Sequence, residues 1–138
     1  MIGADTNILI RAVLDDHPAE STFAKGFLKK MAGGKKLFIS SYAILEMVWV
    51  LKVKKRTRKE IYDALLDLLD SAGVVIGQRE VVISALEIYI KGKADFGDYL
   101  ILAEGGLYDA PKLASFDKIF CKDNHRAQHP KKYMTDIS

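Results

Sequence analysis

Four acidic residues stand where they could bind a metal ion together. Asp5 and Asp117 each directly follow a short apolar segment, and Glu46 lies within a long apolar stretch. Asp98 is the fourth, at the start of an apolar segment with helical spacing. Carboxylates that gather at one place repel one another and raise one another's pKa, so such a cluster is unfavourable without a cation. Oxygen ligands without His or Cys select hard ions, which indicates Mg²⁺ or Mn²⁺ chemistry on a phosphodiester.

Each of these acids, taken alone, has a simpler explanation. Asp5 and Asp117 could cap the helices that follow them, and Asp98 could stabilise the first turn of its helix. Glu46 is harder to explain, because it is the only charged residue in Tyr42–Leu51. A carboxylate in an apolar surface is costly unless it is paired, protonated or bound to a metal. The alternative for Glu46 is exposure on a narrow polar edge, or a salt bridge with a lysine.

Short apolar segments alternate with helical patterns along the chain. Strands are predicted at Ile2–Ala4, Leu37–Ile39, Val74–Ile76 and Lys112–Ser115, and helices at Ile8–Leu14, Ala19–Met31, Tyr42–Lys52, Ile61–Ser71, Arg79–Lys91 and Phe96–Tyr108. Gly33–Gly34 is predicted to end the second helix, and Thr57 with Glu60 matches a capping box. The alternation predicts an α/β fold, with one domain over residues 1–138 and a parallel central sheet flanked by helices. Sites in such sheets form beyond the carboxyl ends of the strands, where two of the four acids lie.

The composition fits one compact, folded domain. The chain has 138 residues, of which 49% are hydrophobic, and its net charge of +3 tolerates a polyanionic partner without requiring one. The single cysteine, Cys121, excludes an internal disulfide and fits a reducing compartment. No apolar run is long enough to span a membrane, so a cytoplasmic location is expected. Disorder is expected only in the tail, and the pattern past Phe120 predicts no element.

Basic residues are dense in two segments. The first consists of Lys52, Lys54, Lys55, Arg56, Arg58 and Lys59, and the second of Lys118, Lys122, Arg126, Lys131 and Lys132. Either could contact a nucleic-acid backbone, although a solvated, charge-rich surface explains runs of this length equally well. The sequence contains no P-loop and no Gly-x-Gly-x-x-Gly motif, so a nucleotide cofactor is not expected.

The residues described above, in this order, resemble the PIN-domain family, and especially the single-domain toxins of VapBC toxin–antitoxin pairs. The resemblance rests on Ile2–Asn7, Ser40–Glu46, Asp95–Ile101 and Leu113–Asp117, which are spread over nearly the whole chain. It implies a magnesium- or manganese-dependent endoribonuclease with an RNA substrate. It also implies a cognate antitoxin protein as a partner, and a homodimer is expected.

The resemblance gives the acids distinct roles. Asp5, Glu46 and Asp98 are expected to bind the metal directly, and Asp117 is expected to be a supporting or second-metal acid. Asp98 matches the family's helix acid better than Asp95, which is kept as an auxiliary acid. The implied reaction is in-line hydrolysis of RNA that leaves a 5′-phosphate and a 3′-hydroxyl, with the carboxylates acting mainly as metal holders.

Two more polar residues and one apolar surface complete the sequence-based hypothesis. Asn7 and Ser115 correspond to family positions that orient a ligand or water, and Ser115 keeps the hydroxyl of the commoner threonine. The apolar surface of Tyr42–Leu51, including Met47 and Trp49, is expected to form part of an antitoxin groove, a dimer contact or the ordinary core. The alternative function is a catalytically idle PIN-like module that binds RNA or a protein.

Overall fold

A computed structural model describes residues 1–34 and 36–134 of the chain. It divides into two compact units, Met1–Arg79 and Glu80–Ser138. Disorder is predicted for the tail, and its last residues, 135–138, lie outside the described residues. In the described part, none of the helices combines the length and the apolar character that crossing a bilayer requires.

The first unit, in its described residues, has a three-stranded parallel sheet and four helices. The strands β1 (Ile2–Gly3), β2 (Leu37–Ile39) and β3 (Val74–Ile76) lie in the order β1-β2-β3. The helices are α1 (Thr6–Leu14), α2 (Pro18–Gly34), α3 (Ser41–Val53) and α4 (Arg58–Asp70). The predicted α/β class with a parallel sheet flanked by helices is confirmed.

The sheet of the first unit has one well-buried face. Leu37 and Ile39 of β2 and Ile76 of β3 are buried, whereas Phe38 and Val75 between them are exposed. This alternation follows from the two-residue period of a strand, which sends successive side chains to opposite faces. Because all three strands are parallel, their carboxyl ends meet at one edge, and Asp5 follows β1 there.

Gly73 shapes the entry to β3. Its φ of +78° lies in the left-handed region, and a methyl group on it would overlap the carbonyl oxygen of Ala32. The Gly73 carbonyl also accepts a 2.8 Å hydrogen bond from the Leu37 amide, which extends the β2–β3 ladder. A side chain at this position is therefore excluded both by backbone conformation and by space.

The predicted helix ends differ from the observed ones in instructive ways. Helix α1 begins at Thr6, two residues before the predicted start, because Asp5 caps it. Helix α2 ends at Gly34, within the glycine pair predicted to stop it, and three residues after the predicted last residue Met31. A helical glycine costs only about 1 kcal/mol relative to alanine, so the two glycines can form the last turn.

The second unit contains short elements that the sequence pattern did not predict. Its described elements are α5 (Arg79–Lys91), α6 (Phe96–Leu107), β4 (Leu113–Ala114), α7 (Lys118–Asp123), β5 (Ala127–Gln128) and α8 (Pro130–Met134). Strand β4, predicted as Lys112–Ser115, is shorter and pairs in parallel with β5 as a two-stranded sheet. Most of the region past Phe120 is therefore ordered into a helix, a strand and a second helix.

The capping box of α4 is confirmed and makes stability depend on pH. The Glu60 carboxylate accepts a 2.9 Å hydrogen bond from the Thr57 amide, and the Thr57 hydroxyl accepts one of 3.1 Å from the Glu60 amide. The backbone hydrogen bond from Thr57, followed by the side-chain one, lowers the pKa of Glu60 below its ordinary value of 4.5. This stabilisation is therefore fully present above about pH 4.5 and is lost as the pH falls through the lowered pKa.

Glu60→Gln should test this dependence, because glutamine keeps the capping acceptor but does not titrate. Thermal unfolding from about pH 7 to about pH 3 should show the wild type losing stability relative to this variant at the acid end. Glu87→Gln, which changes an exposed glutamate of α5, is the matched control. A constant difference between wild type and Glu60→Gln across this range would contradict the prediction.

Candidate functional site

Asp5 lies at the carboxyl end of β1, as predicted, and it also caps a helix. The amide of Ala4 still donates to the Phe38 carbonyl at 3.0 Å, so the ladder runs up to the residue before Asp5. Asp5 Oδ1 then accepts a 3.2 Å hydrogen bond from the Ile8 amide. A carboxylate has two oxygens and about four lone-pair directions, so capping leaves it able to bind a cation.

Glu46 approaches the start of α1 through a residue that the sequence-based hypothesis missed. The hydroxyl of Thr6 donates to Glu46 Oε2 at 3.3 Å, between helices α1 and α3. At this length the bond is weaker than an optimal O–H···O contact, so its main effect is to orient the carboxylate. Since Thr6 directly follows Asp5, the contact brings the Glu46 and Asp5 regions together. The signal was present in the Asp5-Thr6-Asn7 segment, because a hydroxyl at the first helical residue can reach a neighbouring helix.

The argument that Glu46 is buried in an apolar surface is wrong, because Glu46 is exposed. Helix α3 turns one face to the core with Ala43, Ile44, Met47, Val48 and Leu51. Glu46 lies beside an exposed apolar stripe, which consists of Tyr42, Leu45, Trp49 and Val53. Met47 is fully buried at 0% exposure and belongs to the core, whereas Trp49 is 66% exposed and belongs to the stripe. The case for Glu46 as a ligand therefore rests on its neighbour Thr6 and not on desolvation.

Asp95 and Asp98 open helix α6 in the second unit. Asp95 occupies the N-cap position, although its side chain makes no capping hydrogen bond to the helix. Asp98 is half-buried in the first turn, and its amide donates to the Asp95 carbonyl at 3.1 Å. The two carboxylates are three residues apart, so they share a helical face at the end that favours negative charge.

Asp117 and Ser115 form a tight turn after β4. The Asp117 amide donates to Ser115 Oγ at 3.0 Å, and Asp117 Oδ1 accepts a 3.0 Å hydrogen bond from the Phe120 amide as the N-cap of α7. The Ser115 amide donates to the Gln128 carbonyl at 2.9 Å, which ties the turn to β5. The Ser115 hydroxyl therefore helps to fix the Asp117 backbone in the second unit.

A buried tyrosine connects the helices that carry Asp98 and Asp117. Tyr99 is 0% exposed, and its hydroxyl donates to the Asp123 carboxylate of α7 and accepts a 3.1 Å hydrogen bond from the Ala94 amide. Its ring packs edge to face against Phe120, with the ring centroids 5.8 Å apart. A methyl group on Gly92 would overlap the Tyr99 hydroxyl and lie 2.8 Å from Asp123 Oδ2. The sequence-based hypothesis did not include this network, which fixes α6 against α7.

Each unit contributes two of the four predicted metal-binding acids. Asp5 and Glu46 belong to the first, and Asp98 and Asp117 to the second. Over residues 1–34 and 36–134, no three Asp, Glu, His or Cys side chains come close enough to hold a metal ion. The shared four-acid site therefore stays a prediction. The chemistry of the donors fits a hard divalent cation, since all are carboxylate oxygens and none of the four is fully buried.

Asn7 lines an apolar groove between α1 and α2. The groove has a volume of about 400 Å³, and its lining consists of Asn7, Ile8, Arg11, Glu20, Phe23, Ala24 and Phe27. Arg11 closes its rim, with ion pairs to Asp16 at 3.1 Å and to Glu20 at 2.9 Å. The hydrogen bond to Asp16 is the main cause that raises the pKa of Arg11 above its ordinary value. Asn7 thus stands between the Asp5 region and a surface suited to an apolar ligand.

Two comparisons with known proteins concern the family of the chain. The family model of the PIN domain matches residues 3–123, which include all four candidate acids. The chain is also similar to the VapC ribonuclease of Aquifex aeolicus (strain VF5), with 23% identity over 127 residues, 91% of this chain and 94% of the relative. Since the family match spans most of the chain and runs through both units, the protein belongs to the PIN-domain family.

Proposed function

We propose that the protein is a magnesium- or manganese-dependent endoribonuclease and the toxin of a VapBC-type toxin–antitoxin pair. The observation that carries the proposal is the hydrogen bond to Glu46 from Thr6, the residue that follows Asp5 at the carboxyl end of β1. Two carboxylates near this sheet edge, in a chain whose PIN match spans two further acids, form the beginning of a divalent-cation site. The similarity to a VapC ribonuclease supports RNA as the substrate.

Asp5, Glu46 and Asp98 would hold the ion in this proposal, with Asp117 as the supporting acid. A divalent ion held there would lower the pKa of a bound water and neutralise charge on the scissile phosphate. Thr6 orients the Glu46 carboxylate by its hydrogen bond. The carboxylates act by position and charge, so the proposal requires no separate general base.

The supporting polar groups act through these acids. The Ser115 hydroxyl holds the turn that carries Asp117, and the Tyr99 network holds α6 against α7. Asn7 and Asp95 are proposed to orient substrate or water near the ligand set. Replacing any of these groups should lower the rate of cleavage without changing the products, because these groups position the metal ligands or the substrate and do not bind the metal themselves.

The proposed antitoxin has a suitable surface in the first unit. The groove between α1 and α2 offers Phe23 and Phe27, and Phe23 is 82% exposed. An apolar groove between two helices can accept the apolar face of a partner segment. We assign the antitoxin to this groove, beside Asn7, and a homodimer contact to the Tyr42, Leu45, Trp49 and Val53 stripe of α3. Both partners act in the cytoplasm in this proposal.

The proposal is tested by incubating the purified protein with total RNA in Mg²⁺, in Mn²⁺ and in EDTA. Discrete fragments should appear with either metal and disappear in EDTA and in Asp5→Asn. Asparagine is as good an N-cap as aspartate, so the variant should unfold at the wild-type temperature. Fragments with 5′-phosphate ends would match the expected hydrolysis.

A folded wild-type protein that cuts no RNA under these conditions would contradict the proposal and favour the idle RNA- or protein-binding module. Cleavage that persists in EDTA would contradict the metal dependence alone. The unfolding temperature gives a second readout, because a ligand that binds only the native state raises it. Mn²⁺ should therefore raise it in the wild type and raise it less in Asp5→Asn.

A further inference from the structure

We infer that a basic pocket in the second unit binds a backbone phosphate of the RNA that flanks the scissile group. The inference rests on the proposed function for the identity of the polymer. The pocket itself is separate from the four predicted metal-binding acids. Its lining consists of Pro111, Lys112, His125, Arg126, Gln128, Lys132 and Tyr133.

The charge of the pocket favours an anion. Lys112, Arg126 and Lys132 come from three places, before β4, before β5 and on α8. Of the described residues that line it, none is acidic. Three cations from separate elements cannot be a simple run of solvated charge along one helix. Their convergence on one concave surface is the feature that a phosphate group would use.

The backbone around the pocket is arranged so that it does not repel an anion. The carbonyl oxygen of Arg126 accepts hydrogen bonds from the Leu113 amide at 2.8 Å and from the Tyr133 hydroxyl at 3.1 Å. The His125 carbonyl accepts from Gln128 Nε2 at 2.9 Å. These two carbonyl oxygens are thus already engaged by donors. The same bonds tie α8 and both strands together, so the pocket is formed before a ligand arrives.

The size of the pocket favours one group of a longer molecule. Its volume is about 230 Å³. Pockets that enclose whole small-molecule ligands begin at roughly 300 Å³, so a phosphate within a chain fits better than a complete nucleotide ligand. Lysine and arginine contacts to phosphates supply most of the sequence-independent affinity for nucleic acids. An RNA backbone is therefore the occupant that both charge and size favour.

The cations of the pocket and Asp117 lie at opposite ends of β4, which places a flanking phosphate, and not the scissile one, at these cations. The cations Lys112 and Arg126 lie at the amino ends of β4 and β5, whereas Asp117 follows the carboxyl end of β4. Asp117 lies five positions after Lys112, which in extended chain corresponds to at most roughly 17 Å. A single strand that crosses the β4–β5 pair would place one phosphate in the pocket and a different one near Asp117.

The test measures binding of a short labelled single-stranded oligouridylate in EDTA, where no cleavage is expected, at several salt concentrations. Lys112→Gln/Lys132→Gln should bind about tenfold more weakly at low salt. The slope of log affinity against log salt should be smaller by about 0.7, the value for one phosphate contact to a single strand. Both lysines are exposed, and the unfolding temperature of the double variant is measured beside the wild type so that binding is compared between folded proteins. Arg126→Gln is a second, independent variant with the same expected direction.

Lys29→Gln/Lys30→Gln is the matched control, because it removes the same charge from exposed positions of α2. An equal loss of affinity and slope in the control and the pocket variant would overturn the inference, since net charge alone would then explain binding. Wild-type affinity in both pocket variants would also overturn the inference, and an acidic protein segment would then be the candidate ligand. A wild-type protein that binds no RNA would overturn it as well. Pocket-dependent binding without metal-dependent cleavage would support the inference and contradict the proposed function. Metal-dependent cleavage by the wild type, together with a wild-type salt slope in the pocket variants, would support the proposed function and contradict the inference.

Discussion

Replacement of Asp98 by asparagine is expected to lower the rate of RNA cleavage by about 100-fold or more. Losing a group that only orients a metal ligand typically costs 10–100-fold, and a direct ligand should reach the upper end of this range or exceed it. The substitution keeps the size of the side chain, and Asp98 is only half-buried, so the fold should survive. The measurement is the initial rate of cleavage at saturating Mn²⁺, together with the Mn²⁺ concentration that gives half of the maximal rate.

Asp95 is the most informative control for Asp98. Both acids lie at the start of α6, and Asp95 occupies the N-cap position, where asparagine is equally suitable. Asp95→Asn should therefore lower the rate much less than Asp98→Asn. Asp67→Asn, at an exposed position of α4, should leave the rate unchanged. Equal effects of Asp95→Asn and Asp98→Asn would mean that only the summed charge of the turn matters, and the assignment of Asp98 as a ligand would be wrong.

The positions of Asp5 and Asp117 show what the local sequence pattern can predict. An apolar segment followed by a helical one predicts Asp5 between a strand and a helix, and Asp5 lies there, after β1 and before α1. The same pattern placed Asp117 after β4. These positions follow from backbone periodicity and from capping chemistry, both of which act between residues close in sequence. Local information of this kind therefore predicted where the candidate acids stand on the elements.

Glu46 shows where local pattern fails. Its apolar neighbours indicated burial, but the number of apolar residues in α3 exceeds what the core accepts, and Tyr42 and Trp49 are left 78% and 66% exposed. Which side of an all-apolar helix faces the core depends on tertiary packing, which has no signature within the segment itself. The Thr6–Glu46 contact joins residues 40 positions apart and was missed for the same reason.

The elements past Phe120 could not be predicted from the sequence for a different reason. Strand β5 has two residues and α8 has five, so neither is long enough for a hydrophobic period to repeat and be recognised. These elements depend on contacts between elements, such as the Tyr133 hydroxyl bonds to the carbonyls of Leu113 and Arg126. The sequence contains the basic residues of this segment, but only the fold shows that they surround a pocket. A functional surface built from three short elements is visible only in three dimensions.

The second large effect is expected from Tyr99→Phe, which removes one buried hydroxyl. The hydrogen bond from the Ala94 amide and the hydrogen bond to the Asp123 carboxylate would both be lost. Hydrogen bonds of this kind, one of them to a charged group, contribute about 1–3 kcal/mol, so the free energy of unfolding should fall by that amount. Because the hydroxyl joins α6 to α7, Asp98 and Asp117 should also become less well placed, and cleavage should slow by about tenfold. Gly92→Ala should act in the same direction, since its methyl group would overlap the Tyr99 hydroxyl.

Metal titration separates positioning from simple destabilisation in these variants. If the network positions the acids, Tyr99→Phe should need more Mn²⁺ for half-maximal cleavage, at a temperature where the variant is fully folded. Tyr108→Phe, at a position 78% exposed, removes the same atom and should change neither stability nor the Mn²⁺ requirement. A destabilised Tyr99→Phe with the wild-type Mn²⁺ requirement would limit the network to a structural role. A raised requirement would mean that α6 and α7 hold their acids in a shared geometry, because a loss of stability alone does not alter metal affinity in the folded molecules.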